Sequence, residues 1–183
     1  MNNLNEWFDT GISKDEYMSA LDKHRESFFH IYNNFQIPEE DVTILQQHNN
    51  VRALVLAEVW CGHCMLNIPV FLHIAESANI PVKFFPRDEH LELMDKYLTN
   101  EKRIIPIIIF IDEDGNELAT WGPMAPEIAT FVEDLKQDLP DKEDPTYKEA
   151  FEKYIQVIGD AFTNDDTYRN ATYTDIKKTL TSI

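Results

Sequence analysis

The stretch Val51 to Glu58, VRALVLAE, constrains the fold more than any other part of this chain. Apart from Arg52 and the closing glutamate it is apolar on both of its alternating faces. A strand of that kind has to be covered on both sides, which suits a central, parallel position in a sheet flanked by helices. The next segment, VWCGHCMLNIP over 59–69, turns at once to helical composition and holds both cysteines of the chain, Cys61 and Cys64. A helix is expected there from about Gly62 to Ala78.

The flanking patterns fill in the rest. Ser13-Lys14-Asp15-Glu16 reads as a capping box, and Tyr17, Leu21, Phe28, Tyr32 and Phe35 follow at helical spacing, so one helix is expected over 13–35. Pro38 and the acids Glu39, Glu40 and Asp41 open a second helix running through Gln47. Beyond the cysteines come a short strand over 82–85, a helix capped by Asp88 to about Leu98, and an apolar run from Ile104 to Ile111 interrupted by Pro106. A turn signal at 112–116, a returning strand over 117–121 and a helix over 126–139 complete a β-α-β-α-β-β-α order from Val51. Strands joined by helices are expected to run parallel and the last hairpin antiparallel. The fold class is α/β, with a mixed central sheet of about four strands.

Three regions result: an N-terminal helical region over 1–50 that packs on the core, a core over 51–139, and a C-terminal part over 140–183. The last begins with a linker, then a helix from Asp144-Pro145 whose stripe is Tyr147, Phe151, Tyr154, Ile158 and Phe162. That stripe either packs on the body or serves as a partner-binding face. Residues 163–183 show weak periodicity and read as a partly disordered tail.

Charge and cysteine count narrow the function classes. The net charge is −17, from 16 Lys+Arg against 33 Asp+Glu. Such a field repels phosphate backbones and anionic lipid, which argues against nucleic-acid and membrane partners. The N-terminus has no basic and apolar secretory pattern, and no run approaches the ~20 apolar residues of a membrane span. A cytoplasmic chain with reduced thiols is therefore expected, and a structural disulfide is disfavoured there. Structural zinc wants four ligands; there is no second cysteine pair and no histidine pair at ligand spacing. A cycling dithiol fits better. Cys61 falls where the strand ends and Cys64 in the first helical turn, where unpaired N–H groups and the helix dipole favour a thiolate. The two-residue gap lets Cys64 reach back to a mixed disulfide formed at Cys61.

With Trp60-Cys61-Gly62-His63-Cys64, Pro69 five residues later, Arg103-Ile104-Ile105-Pro106 and Gly122 after the hairpin, the chain resembles the thioredoxin-fold proteins over about 51–139. The resemblance implies a thiol–disulfide oxidoreductase with Cys61 as exposed nucleophile and Cys64 as shielded resolving thiol. It implies that Trp60 is an apolar platform, that Pro69 kinks the helix, and that Pro106 is cis and faces the sulfurs. The backbone beside Pro106, Ile105 included, would then pair with an extended substrate. The Gly62-His63 dipeptide is that of protein disulfide isomerases, and a protonated His63 is expected to stabilise the Cys61 thiolate and tune the potential. Val55 stands where the family often has a buried acid. Glu58 is the nearest acid, expected at the solvated end of the strand, with proton transfer as its alternative role. The implied partners are protein disulfides or dithiols, recycled by a flavin-containing thioredoxin reductase or a low-molecular-weight thiol. No resident cofactor or metal is implied. The rival reading is a binding or adaptor protein whose cysteine pair is a redox-sensitive switch.

Overall fold

The computed structural model of the chain describes residues 3–183. Four short helices come first: α1 (Leu4–Phe8), α2 (Lys14–Ser19), α3 (Arg25–Asn34) and α4 (Glu39–Leu45). Then follow β1 (Arg52–Ala57), α5 (Gly62–Ala78), β2 (Val82–Pro86), α6 (Leu91–Met94), β3 (Ile107–Ile111) and β4 (Glu117–Trp121). Helices α7 (Pro126–Gln137), α8 (Tyr147–Asn164) and α9 (Asp166–Leu180) end the chain. Among the described residues no helix is long and apolar enough to cross a membrane.

The sheet order is β2-β1-β3-β4. β1 is central and, beyond Arg52, fully buried, as its two-sided apolar pattern requires. Its alternate residues serve two helical layers. Val55 and its sheet neighbours Phe84 and Ile108 share one face, where Tyr17 of α2 stacks on Phe84 at 4.3 Å and Phe71 of α5 meets Phe110 edge-on at 6.1 Å. Phe85 points the other way and receives Trp7 of α1 at 6.1 Å. Arg52, the one polar residue early in the strand, donates to the carbonyls of Asp112 and Glu113 and to the Asn5 side chain. It thereby ties α1 to the β3–β4 turn.

Three expectations are corrected. First, β1 and β2 are parallel but β3 runs antiparallel to β1, with Leu56 opposite Ile107. The helix expected from Asp88 to Leu98 shrinks to the single turn α6, because Asp88 does not cap it. The Asp88 N–H donates to the Glu58 carboxylate and its own carboxylate pairs with Arg87. With no helix to carry the chain along the sheet, β3 starts at the end where β2 stopped. The C-terminal ends of β1 and β2 and the start of β3 therefore meet at one place, and the dithiol lies there.

Second, the helix expected over 13–35 is two. The Ser13–Glu16 capping box forms and starts α2, but α2 ends at the Ala20 cap, and Leu21 is buried in the turn before α3. The break lets Tyr17 face the sheet while Phe28 and Ile31 pack beside α5. Just before α2, Ile12 forms a lone antiparallel bridge with Phe84 at the outer edge of β2.

Third, the tail is ordered as α9. Its inner stripe includes Arg169, Thr172, Tyr173, Ile176 and Leu180, all buried. Polar members dilute the apolar period, yet Thr172 and Tyr173 have partners elsewhere in the fold. Thr172 donates to Asn67 of α5 (2.7 Å), and Tyr173 and Lys177 both donate to Asp41 of α4 (2.6 and 2.7 Å). Trp121 of β4 donates to Asp175 (2.8 Å). Burial of Thr172 and Tyr173 is tolerated because their bonds are made, whereas Arg169 pairs with Asp166 within α9 and its Nε has no partner among the described residues.

Candidate active site

β1 delivers the chain to a tight turn in which the Cys61 N–H donates to the Glu58 carbonyl at 3.2 Å. Cys61 is then the N-cap of α5, with extended backbone, and its sulfur accepts the Cys64 N–H at 3.4 Å. Across from it lies the segment before β3. The Ile105–Pro106 bond is cis, and the Ile105 carbonyl faces the Cys61 sulfur at 3.9 Å. Gly122, after β4, supports that segment from behind. Its φ is +135°, and a Cβ there would lie 2.3 Å from the Pro106 carbonyl oxygen, so only glycine fits. Cys61, Cys64, Trp60, Gly62, Ile105 and Pro106 thus come together at one end of the sheet.

Both cysteines are free thiols with unequal surroundings. Cys64 is 1% exposed. Cys61 is 8% exposed, which corrects the expectation of an open nucleophile: the Ile105–Pro106 segment covers its sulfur. The Cys61 thiol is held below its ordinary range, chiefly because the Cys64 thiol donates to its sulfur. The backbone N–H groups of Cys64 and His63 and the charge of Arg87 act in the same sense, against burial. The Cys64 thiol is raised well above its ordinary range, by burial first and by its bond to Cys61 second.

His63 departs from its expected role. Burial alone pushes it down to about 4, its Nδ1 has no partner among the described residues, and its ring packs against Phe162 of α8 at 5.5 Å. It is neutral near pH 7 and supplies no positive charge to Cys61. The sequence contains nothing that foretells α8 lying over this residue.

Arg87 is the cation that reaches the site. Its guanidinium stacks over the Trp60 ring at 4.9 Å, donates to the Arg103 carbonyl at 3.2 Å and pairs with Asp88 at 2.8 Å. It therefore bridges the two segments that flank the dithiol. A sequence signal existed: Arg87 follows the end of a strand parallel to β1, and such strand ends collect functional groups in α/β sheets. We expect Arg87→Ala to raise the pH midpoint of Cys61 alkylation by iodoacetamide; an unchanged midpoint would show that the guanidinium does not act on the sulfur.

Glu58 is buried, not solvated. Tyr17 and the turn after β2 close over it: its backbone carbonyl accepts from the Tyr17 hydroxyl (3.4 Å), and its carboxylate accepts the Asp88 N–H (2.9 Å). Its charge adds to the effects that keep Cys64 protonated. Tyr17, buried beside these groups and raised far up by burial, was legible in the sequence only as a core aromatic. Trp60 is 48% exposed, as a platform at the site's mouth would be. Its carbonyl is bonded to His24 at 3.1 Å, which brings the turn between α2 and α3 to the rim. Val55 is buried among apolar neighbours.

A dithiol at a strand-to-helix junction, facing a cis-proline segment in a mixed four-stranded sheet with helices on both faces, defines the thioredoxin fold. A family model described as thioredoxin matches residues 11–136, and the chain belongs to that family. The matched range starts in the N-terminal region, well before the 51–139 of the sequence resemblance. Its first residues are those that bridge to the edge of β2. Among solved structures, a protein of unknown function from Pseudomonas aeruginosa is 16% identical with a TM-score of 0.65; the match covers 100% of this chain and 99% of that one. An HIV epitope scaffold is 17% identical with a TM-score of 0.64, covering 99% of each chain. At these identities both likenesses speak of the fold alone. No curated protein matches the chain.

Proposed function

We propose that the protein is a thiol–disulfide oxidoreductase acting through Cys61 and Cys64. The observation that carries this is the inequality of the two thiols: one is lowered at a helix N-cap, and the other, three residues on, is raised and buried. That division of labour suits a two-step cycle. The Cys61 thiolate attacks one sulfur of a substrate disulfide; a new S–S bond forms, the old one breaks, and the leaving thiolate takes a proton. Cys64 then gives up its proton and attacks the Cys61 sulfur. The Cys61–Cys64 disulfide forms and the second substrate thiol is released. Two electrons and two protons pass to the substrate, and a dithiol reductant returns the protein to its starting form. Run backwards, the same steps oxidise dithiols. We place the cycle in the cytoplasm, with protein disulfides or dithiols as substrates and a thioredoxin reductase or a low-molecular-weight thiol as recycling partner.

Reduction of insulin by dithiothreitol, followed by turbidity, is the direct test. The protein should accelerate it catalytically. No acceleration by folded, reduced protein would leave the adaptor reading in its place.

Cys64 must lose a proton in the second step, and Val55 offers no help on the α5-facing side of β1. Val55→Asp is expected to speed resolution of a mixed disulfide several-fold near pH 7, measured by stopped-flow, in variant protein shown to be folded. The substitution costs stability through desolvation. An unaltered resolution rate would count against a proton-transfer limit.

A further inference from the structure

Helix α8 lies beyond the matched family residues, yet it stands beside the dithiol. Between it and the start of α5 runs a cleft of about 350 Å³, within the ~300–1,000 Å³ typical of ligand sites. Trp60 and Gly62 lie on one wall, Ile155 and Gly159 on the other, and Lys23 at the rim. Trp60 and Ile155 leave apolar surface uncovered at its mouth, at 48% and 44% exposure.

The glycines single this cleft out. Of the five in the chain, Gly11, Gly115 and Gly122 are required by contact, since a Cβ there would fall 2.6, 2.2 and 2.3 Å from neighbouring atoms. Gly62 and Gly159 are not: among the described residues a Cβ at either meets nothing within 4 Å, and neither has a positive φ. Gly159 lies in the interior of α8, where glycine is less favourable than alanine, and Gly62 is the first residue of α5. Both line the same cleft from facing elements. Bare backbone with no internal use leaves room for close approach of a bound molecule. Charge adds a second constraint. The molecule as a whole is −17, but among the described residues the cleft lining holds Lys23 and no carboxylate.

We propose that this cleft is a substrate subsite. It receives the polypeptide segment adjoining the cysteine that Cys61 attacks, taking a bulky apolar side chain against Ile155 and Gly159 and a carboxylate toward Lys23. The proposal rests on the oxidoreductase reading and adds its substrate class: apolar, acidic segments, the reverse of what net charge alone would select.

The test is single-turnover oxidation of the reduced protein, so no recycling partner is needed. The probes are short peptides whose one cysteine is capped by 2-mercaptoethanol, with leucine or serine beside it and glutamate or lysine next along. The native protein should react about tenfold faster with leucine than with serine. It should also prefer glutamate to lysine, and Lys23→Glu should reverse that preference. Gly159→Phe, which fills the cleft, should bring the leucine-to-serine ratio close to one. Should Gly159→Phe not fold, Ile155→Asn at its exposed position gives the same readout, a reduced ratio. Bis(2-hydroxyethyl) disulfide, too small to need the cleft, reports the dithiol by itself. Equal rates for the leucine and serine peptides, with that disulfide still consumed, would overturn the subsite and leave the oxidoreductase standing. So would a preference for lysine. Failure to consume the small disulfide would remove the oxidoreductase reading and the subsite with it.

Discussion

Cys61→Ser should abolish disulfide exchange, whereas Cys64→Ser should stall it halfway. The two thiols are not equivalent in the fold, and the variants should therefore fail differently. Cys61 caps α5 and has the lowered thiol, so on the proposed cycle its loss removes the nucleophile itself. A serine hydroxyl stays protonated at neutral pH and cannot replace a thiolate. We expect insulin reduction to fall by roughly a thousandfold or more, to the background rate. Cys64→Ser retains the first attack and loses the resolving one. Incubated with an insulin-like disulfide substrate, it should accumulate a covalent adduct at Cys61, seen by intact mass and released by dithiothreitol. Adduct formation by Cys61→Ser but not by Cys64→Ser would exchange the two roles. Equal loss in both, with no adduct in either, would speak for a switch rather than a catalyst. The limited exposure of Cys61 makes a further demand on the proposed cycle: a substrate sulfur would have to approach in line past the Ile105 carbonyl, which would favour extended segments over compact ones.

The second large effect is on stability and comes from His63. Its ordinary value of 6.5 applies in the unfolded chain, and burial against α8 pushes it down to about 4 in the folded one. Between these values the unfolded state binds a proton that the folded state does not. The stability that this neutral, half-buried imidazole allows is therefore complete above pH 6.5. It is lost as pH falls toward 4, by about 3 kcal/mol at ~1.4 kcal/mol per pKa unit. Several lowered carboxylates, Asp41 and Asp112 among them, also lose stability as pH falls, so the native protein should weaken in acid for more than one reason. The comparison with His63→Leu isolates the histidine. Leucine keeps an apolar body against Phe162 and does not titrate. Urea midpoints at pH 7 and pH 4 should drop much less for the variant than for the native protein. An equal drop would mean that His63 protonates freely in the folded state, and would restore the charged role that its place beside Cys61 first suggested.

What the sequence determined by itself is local. The two-sided apolar run fixed β1 as a central strand, because a pleat buried on both faces leaves few alternatives. The paired cysteines after it fixed a dithiol at a helix N-terminus, because cap and spacing are set within four residues. The capping box before α2 and the turn signal after β3 were equally legible, as was the proline before β3. Only the tertiary structure decided which groups surround the sulfurs. Arg87 reaches them because β2 pairs in parallel with β1 and ends at the same edge. His63 stays neutral because a helix a hundred residues away in sequence, α8, desolvates it. The order in 166–180 was hidden for a related reason. Its inner face is polar enough to blur the helical period, and Thr172, Tyr173, Asp175 and Lys177 find their partners on α4, α5 or β4. Periodicity reports what a segment does to its own neighbours. Desolvation, charge placement and cross-element hydrogen bonds depend on distances between segments, which come into being only when the chain is folded.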